Sequence, residues 1–177
     1  KEDILQKVQK RKNSPAKELL DISLDAEEYT VTFVANGQTV TRKALFDWSK
    51  EDNERIRYYS GTAIYKTTFP WKYKEQKDRQ VYLHLGTVYN LATVRVNGID
   101  CGTVWTAPYR ADITAALKKG TNELEIEVTN TWANALKGTD EGKAPFEGIW
   151  TNAKYRKQEN TLLPGGLLGP LYLEQSN

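Results

Sequence analysis

The most informative segment of the chain, residues 81–129, reads VYLHLGTVYNLATVRVNGIDCGTVWTAPYRADITAALKKGTNELEIEVT. Apolar and polar residues alternate in VYLHL, in LATVRV and again in NELEIEV. Successive side chains of a β-strand point to opposite faces, so this period of two predicts strands with one buried face. Asn97-Gly98 favours a tight hairpin, because both residues tolerate positive φ. The predicted inward residues are Val81, Leu83, Leu85, Ala92, Val94, Val96, Leu124, Ile126 and Val128.

Strand signals continue on both sides of this segment. Upstream, YTVTFV (29–34) alternates in the same way, and IRYYSGTAIYKTTF (56–69) predicts a longer strand. Downstream, TLLPGGLLGPLYLE (161–174) predicts a strand interrupted by a glycine-rich turn. Asp112 is placed to cap a single helical turn. About seven or eight strands with so little helix predict an all-β fold, an antiparallel β-sandwich.

The first 28 residues have a different character. Ile4, Leu5 and Val8 recur at helical spacing among charged residues, and Ser14-Pro15 has the form of a helix start. We therefore expect a helical or linker segment over residues 1–28 and a β-sandwich domain over residues 29–177.

Composition narrows the range of partners. The 177 residues include 25 Lys and Arg against 23 Asp and Glu, a net charge of +2, and a dedicated nucleic-acid binder usually carries a clear basic excess. No apolar run approaches the roughly 18 residues needed to cross a bilayer, so we expect no membrane insertion. The chain begins at Lys1 and lacks methionine, from which we expect a processed protein or a piece of a longer one.

The sequence contains none of the familiar catalytic motifs. It has no phosphate-binding glycine loop, no HExxH, no CxxC and no Gly-x-Ser-x-Gly. The lone histidine, His84, lies in mid-strand between leucines, where a role on the sheet surface is the ordinary interpretation. Glycoside hydrolysis requires two carboxylates flanking the scissile bond, and the strand glutamates here form an outward row. We assign no catalytic residue.

Aromatic residues in the loops are the main candidates for binding a ligand. The chain has five Trp and ten Tyr, and several lie outside the alternating strands. Flat aromatic rings pack on the C–H faces of sugars, and neighbouring amides bond the hydroxyls. The carbohydrate-binding candidates are Trp105, Tyr109, Trp132, Asn134 and Trp150. The alternative is that the Trp side chains wedge the loops onto the sandwich, because Trp is mostly buried on average. Residues 133–160, which have no sustained period, are expected to form a long irregular connection.

Ordered motifs add a resemblance to a known family. They are a strand ending in Gly86, then Val-Asn97-Gly98, Pro108-Tyr109 before Asp112-Ile113-Thr114, and Gly120-x-Asn122. This set resembles the galactose-binding-like jelly roll of family 2 β-galactosidases and β-glucuronidases. YSGTA (59–63), GTVWTAP (102–108) and LLPGGLLGP (162–170) are closer to the C-terminal module of family 106 α-L-rhamnosidases. An Asn-Arg pair expected after Trp132 is replaced by Ala133-Asn134.

The resemblance implies a non-catalytic module of a bacterial carbohydrate-active enzyme, because the catalytic carboxylates of such enzymes belong to a separate barrel domain. Its partners would be a plant or host glycan, the catalytic domain of the parent enzyme, or both. It implies a location in the periplasm or at the cell surface. Domains of this type often hold a structural calcium, for which Asp140 and Glu141 are candidate ligands, although we expect no metal or other cofactor. A purely structural or protein-interaction module and a stand-alone glycosidase remain alternatives.

Overall fold

The computed structural model of the protein describes residues 20–24, 27–73, 79–152 and 161–176. Within these residues the chain forms two antiparallel β-sheets packed on a shared core, which confirms the predicted all-β sandwich. The described strands are β1 (Leu20–Ser23), β2 (Tyr29–Phe33), β3 (Gln38–Arg42), β4 (Thr62–Trp71), β5 (Gln80–Tyr89), β6 (Leu91–Val96), β7 (Ile99–Val104), β8 (Tyr109–Asp112), β9 (Gly120–Thr129), β10 (Gly166–Gly169) and β11 (Tyr172–Ser176).

The larger sheet contains the ten-residue strands β4 and β9, and the smaller sheet contains the ten-residue strand β5. The larger sheet has the order β3-β2-β4-β9-β6-β7. In the smaller sheet β1 pairs with β11, β11 and β10 pair with successive parts of β5, and β8 also pairs with β5. The predicted Asn97-Gly98 hairpin joins β6 to β7, with φ of 52° and 78° at the two residues.

The core forms where the predicted inward faces meet. All nine predicted inward residues are at most 4% exposed, and they belong to one apolar cluster that includes strands of both sheets. Burying this apolar surface is the main force that holds the sheets together. The period of two therefore predicts the core correctly.

Helical structure is confined to short elements. The described helices are α1 (Glu54–Arg57) and α2 (Ala133–Asp140), and two separate 3-10 turns form at Trp48–Lys50 and Thr114–Ala116. The last of these is the predicted turn after Asp112, whose carboxylate accepts a hydrogen bond from the Thr114 amide at 3.0 Å. No helix in the described ranges is long and apolar enough to cross a membrane.

The structure corrects two of the predicted boundaries. The strand predicted over residues 56–69 begins only at Thr62, because α1 occupies the preceding residues and is capped by the Asn53 side chain. The connection predicted to be irregular over residues 133–160 contains α2.

The sandwich also starts earlier than residue 29. Strand β1 pairs with β11 in the register Leu20–Gln175 to Ser23–Tyr172, so it belongs to the smaller sheet. The helical segment predicted around Ile4 to Pro15 lies outside the described residues.

Strand register places several connections at one end of the sandwich. Val34 bonds to Thr62, Thr62 pairs with Thr129, and Thr129 pairs with Leu91. We call this end the rim; its connections are residues 34–37, 59–61, 89–91, 105–108, 130–132 and 163–165.

The ends of the described chain lie at the opposite end from the rim. Gln80 pairs with Ser176, and Leu20 pairs with Gln175, whereas the other end of β5, at Tyr89, reaches the rim. A strand of ten residues such as β5 spans about 30 Å. Residues 20 and 176 therefore lie about 30 Å from the rim.

Candidate functional site

Three of the five candidate residues are prominently exposed: Trp105 and Trp132 lie in connections of the rim, and Trp150 follows the segment beside the β2–β3 turn. The side chains of Trp105, Trp132 and Trp150 are 69%, 57% and 81% exposed, whereas Trp48 and Trp71 are buried. The alternative that the loop Trp side chains are wedged beneath the loops is therefore wrong for these three. Burying such a ring against a ligand removes a large apolar area from water, so each ring is a potential contact.

The three Trp residues form an extended line rather than one pocket. Trp105 follows β7 at one edge of the larger sheet, Trp132 follows the central strand β9, and Trp150 follows Ile149, which lies beside the β2–β3 turn. From β2 to β7 there are four strand spacings, or about 19 Å. The rim can therefore contact an extended partner.

The other two candidates are placed differently. Tyr109 is half-buried, lies opposite Gly86 in the smaller sheet and packs on the core. Asn134 is 3% exposed in the first turn of α2. Its amide nitrogen donates to the Leu163 carbonyl at 2.7 Å, and its amide oxygen accepts from the Leu163 N–H at 2.8 Å. Asn134 thus holds the segment before β10 against α2 and does not present its amide at the surface.

Trp132 is held by a chain of ring contacts that leads into the core. It packs edge-to-face on Phe146 at 6.0 Å, and Phe146 packs in the same way on Tyr59 at 6.0 Å. The Tyr59 hydroxyl donates to the Thr62 carbonyl and accepts from the Ala35 amide. Burial raises the pKa of Tyr59, so its hydroxyl keeps its proton at neutral pH.

Polar side chains fix the loops beneath the aromatic line. The Asn130 side chain accepts from Gly61 N–H at 2.8 Å and donates to the Tyr59 carbonyl at 3.0 Å. The buried Ser60 hydroxyl accepts from the Ala135 amide at 3.0 Å, which ties α2 to the start of β4. These bonds make the rim a pre-organised surface, which lowers the entropy lost on binding.

A cleft of about 710 Å³ lies at the β2–β3 side of the rim. Its walls include the β2–β3 turn, Arg55 of α1 and the segment 144–149. The Asn36 amide nitrogen donates both to the Arg55 carbonyl at 2.8 Å and to the Pro145 carbonyl at 3.2 Å, so one side chain fastens the two walls. None of the three exposed Trp residues lines this cleft.

Sequence reasoning missed the aliphatic part of the rim and the polar part of the cleft. Val34, Leu91 and Leu163 are 55%, 37% and 45% exposed. Leu91 precedes the inward residue Ala92, so its phase in the alternation already marks it as outward. No sequence pattern predicts that Arg55 and Glu147 line the same cleft, because nothing in the sequence indicates that α1 lies close to residue 147.

The lone histidine and the strand glutamates bond to neighbouring side chains on the outer faces of the two sheets. His84 bonds to Glu174 and stacks on Tyr172 with ring centroids 4.5 Å apart, on the outer face of the smaller sheet. On the larger sheet, Arg95 lies 3.2 Å from Glu125 and 3.1 Å from Glu127. Bonding to Glu127 and Glu125 raises the pKa of Arg95. These carboxylates are matched with cations and not paired with one another as an acid and base.

The two residues named for calcium are adjacent in the chain, at the end of α2. Among the described residues there is no group of three or more His, Cys, Asp or Glu side chains suited to hold a metal ion. Glu141 accepts a hydrogen bond from the Tyr58 hydroxyl at 2.8 Å. Calcium takes six to eight oxygen ligands, which can include backbone carbonyls and water, so these two carboxylates would supply only part of a calcium site.

Comparison with known proteins places the chain in a family. Residues 40–162 match the family described as glycosyl hydrolase 2 galactose-binding domain-like. A Formosa agariphila protein named "Putative beta-glucuronidase" is 36% identical, with 82% of this chain and 15% of the relative covered. A rhamnosidase structure from Novosphingobium sp. PP1Y superimposes with a TM-score of 0.82 at 34% identity, covering 92% of this chain and 16% of that one.

A third relative extends the similarity to another enzyme. An FMN-binding β-glucuronidase from Faecalibacterium prausnitzii L2-6 superimposes with a TM-score of 0.62 at 25% identity, covering 90% of this chain and 23% of that one. This chain therefore spans only about a sixth to a quarter of the length of these solved relatives. The resemblance to the sugar-binding sandwich of glycoside hydrolases, drawn from the sequence motifs, is confirmed, and the chain belongs to the glycosyl hydrolase 2 galactose-binding domain-like family.

Proposed function

We propose that this chain acts as a non-catalytic module of a larger glycoside hydrolase and contacts the carbohydrate substrate through the aromatic rim. The relatives named as rhamnosidase and β-glucuronidase are several times longer than this chain, which supports the role of a module. The main observation in support of glycan contact is that Trp105, Trp132 and Trp150 are exposed toward one end of the sandwich.

Calorimetric titration of the full 177-residue chain with rhamnose- and galactose-containing oligosaccharides tests this proposal. Replacing Trp105 or Trp132 with alanine is expected to weaken binding by about tenfold or more, since buried Trp contacts commonly cost more than 1 kcal/mol when truncated. Ile99→Ala is the matched control, because Ile99 is 50% exposed and lies at the Asn97-Gly98 end, away from the rim. Absence of heat with every oligosaccharide, or equal losses in the control, would count against glycan binding.

The aliphatic residues of the rim support a second candidate, docking against another part of the parent enzyme. Val34, Leu91 and Leu163 offer no hydrogen bonds to a sugar, and exposed apolar patches commonly mark protein contacts. In this case the amides of residues 89–91, 163 and 165 should exchange hydrogen more slowly in the complete gene product than in the 177-residue chain. Equal exchange rates in the two proteins would argue against docking.

We further propose an extracytoplasmic location for the parent enzyme, a periplasmic or surface position in a bacterium. This rests on the family likeness alone. Fractionation of the source cells, with an antibody raised against this chain, tests it; recovery in the cytoplasmic fraction would contradict it.

A further inference from the structure

The cleft beside the rim contains two charged groups that have no ionic partner. Arg55 and Glu147 both line it, on walls contributed by α1 and by the segment 144–149. Neither forms an ion pair within the described ranges. The only side-chain bond of Arg55 there is a long one, 3.3 Å, to the Asn36 carbonyl.

Two other carboxylates of this region have partners of their own. Glu54 pairs with Lys143 at 3.3 Å, and the Glu141 carboxylate accepts from the Tyr58 hydroxyl. Both side chains are exposed, so water satisfies their charges until a ligand displaces it. The guanidinium of Arg55 therefore keeps free donors, and the carboxylate of Glu147 keeps free acceptors, facing the same cleft.

Apolar surface completes the cleft. Phe146 and Ile149 line it, and Phe146 also packs on the exposed Trp132. Trp150, the residue after Ile149, is 81% exposed. The cleft therefore combines a donor, an acceptor and an aromatic wall next to the aromatic line of the rim, which is the composition of a small-molecule site with a few oriented polar groups.

We propose that this cleft is a subsite for one uncharged sugar residue of the glycan. Arg55 donates hydrogen bonds to sugar hydroxyl oxygens, Glu147 accepts hydrogen bonds from sugar hydroxyls, and the C–H face of the ring packs on Phe146. The two formal charges cancel, so the cleft favours a neutral sugar, and Glu147 opposes the carboxylate of an acidic one. This inference rests on the proposed glycan-contacting function.

Two variants test the subsite without disturbing the fold. Arg55→Gln leaves the α1 cap intact, because Asn53 bonds the Arg55 backbone N–H and Asn36 bonds the Arg55 carbonyl. Glu147→Gln retains the shape of an exposed side chain that makes no bond within the described ranges. Lys72→Gln, a charge removal at the exposed far end of β4, is the matched control.

The experiment is an NMR titration of the isotope-labelled 177-residue chain with L-rhamnose, D-galactose and D-glucuronic acid. We expect a neutral sugar to shift the amide signals of residues 35, 36, 144 and 146–149. Arg55→Gln and Glu147→Gln should each weaken that binding by about tenfold, the scale of a hydrogen bond to a charged group, while Lys72→Gln leaves it unchanged.

Four outcomes would overturn the subsite. Three of them are tighter binding of glucuronic acid than of the neutral sugars, affinities unaffected by both cleft variants, and no shift with any of the three sugars. Shifts confined to Trp105 and Trp132 would also overturn it, while leaving the broader proposal of glycan contact at the rim intact. If neither these sugars nor the longer oligosaccharides change any amide chemical shift along the rim, the broader proposal of glycan contact would be contradicted instead.

Discussion

Replacing Asn134 with alanine separates a structural role from a sugar-binding role for a residue that sequence reasoning placed among the binding candidates. The Asn134 amide makes two hydrogen bonds to Leu163, at 2.7 and 2.8 Å, and is 3% exposed. Each bond contributes about 0.5–1.5 kcal/mol to the free energy of unfolding. Losing both should therefore cost about 2 kcal/mol.

Differential scanning calorimetry of the full chain measures this loss. In a domain of this size 1 kcal/mol corresponds to about 2–4 °C, so Asn134→Ala is expected to lower Tm by about 4–8 °C. Asn152→Ala, the same change at an exposed position, should alter stability by less than about 0.5 kcal/mol. Sugar affinity at temperatures where the variant is folded should not change. An unchanged Tm together with lost sugar affinity would refute the structural role and restore the binding one.

Three further predictions concern the core beneath the rim. In Gly166→Ala the new Cβ would overlap the Trp48 indole, so we expect a loss of about 3 kcal/mol or more in urea unfolding, whereas Gly142→Ala, with a similar positive φ but open space, should cost only about 1–2 kcal/mol. Tyr65→Phe leaves the buried donors Trp48 Nε1 and Leu167 N without their acceptor, and should cost about 2–4 kcal/mol in the same assay. Burial raises the pKa of the Tyr65 phenol, so the folded state disfavours its ionised form; stability should hold below the ordinary tyrosine pKa of about 10 and fall as pH rises above it, with a smaller fall in Tyr65→Phe. A urea midpoint in the wild-type chain that does not change between pH 8 and pH 11 would contradict this last expectation.

The strands were predictable because their signal is local. In β9 the residues Leu124, Ile126 and Val128 alternate with glutamates, and each residue's face follows from its immediate neighbours. The same holds for the Asn97-Gly98 hairpin, where two adjacent residues suffice to specify the turn. Such information needs no knowledge of the partner strand.

Helix α2 was missed because its stability comes from distant residues. ANALKGTD contains Gly138 and shows little amphipathic period, so local propensity does not favour a helix there. The structure uses the glycine for close approach: a Cβ at Gly138 would lie 2.9 Å from Tyr58 Cβ and 2.8 Å from the Lys143 carbonyl oxygen. Contacts of this kind connect residues 80 positions apart and leave no periodic trace.

The candidate site likewise combines features that local sequence predicts with features that depend on distant packing. Residue type and loop position singled out Trp105, Trp132 and Trp150, but the same criteria fit Trp48, which lies outside the strands and is buried in the core. Whether such a residue is exposed, as these are, or buried, as Asn134 is, depends on which distant segment packs against it. The cleft formed by Arg55 and Glu147 exists only because the β2–β3 turn, α1 and the segment after α2 meet in space. Short-range alternation thus specifies strands and their buried faces, whereas the surface offered to a ligand arises from long-range packing, which no stretch of neighbouring residues encodes.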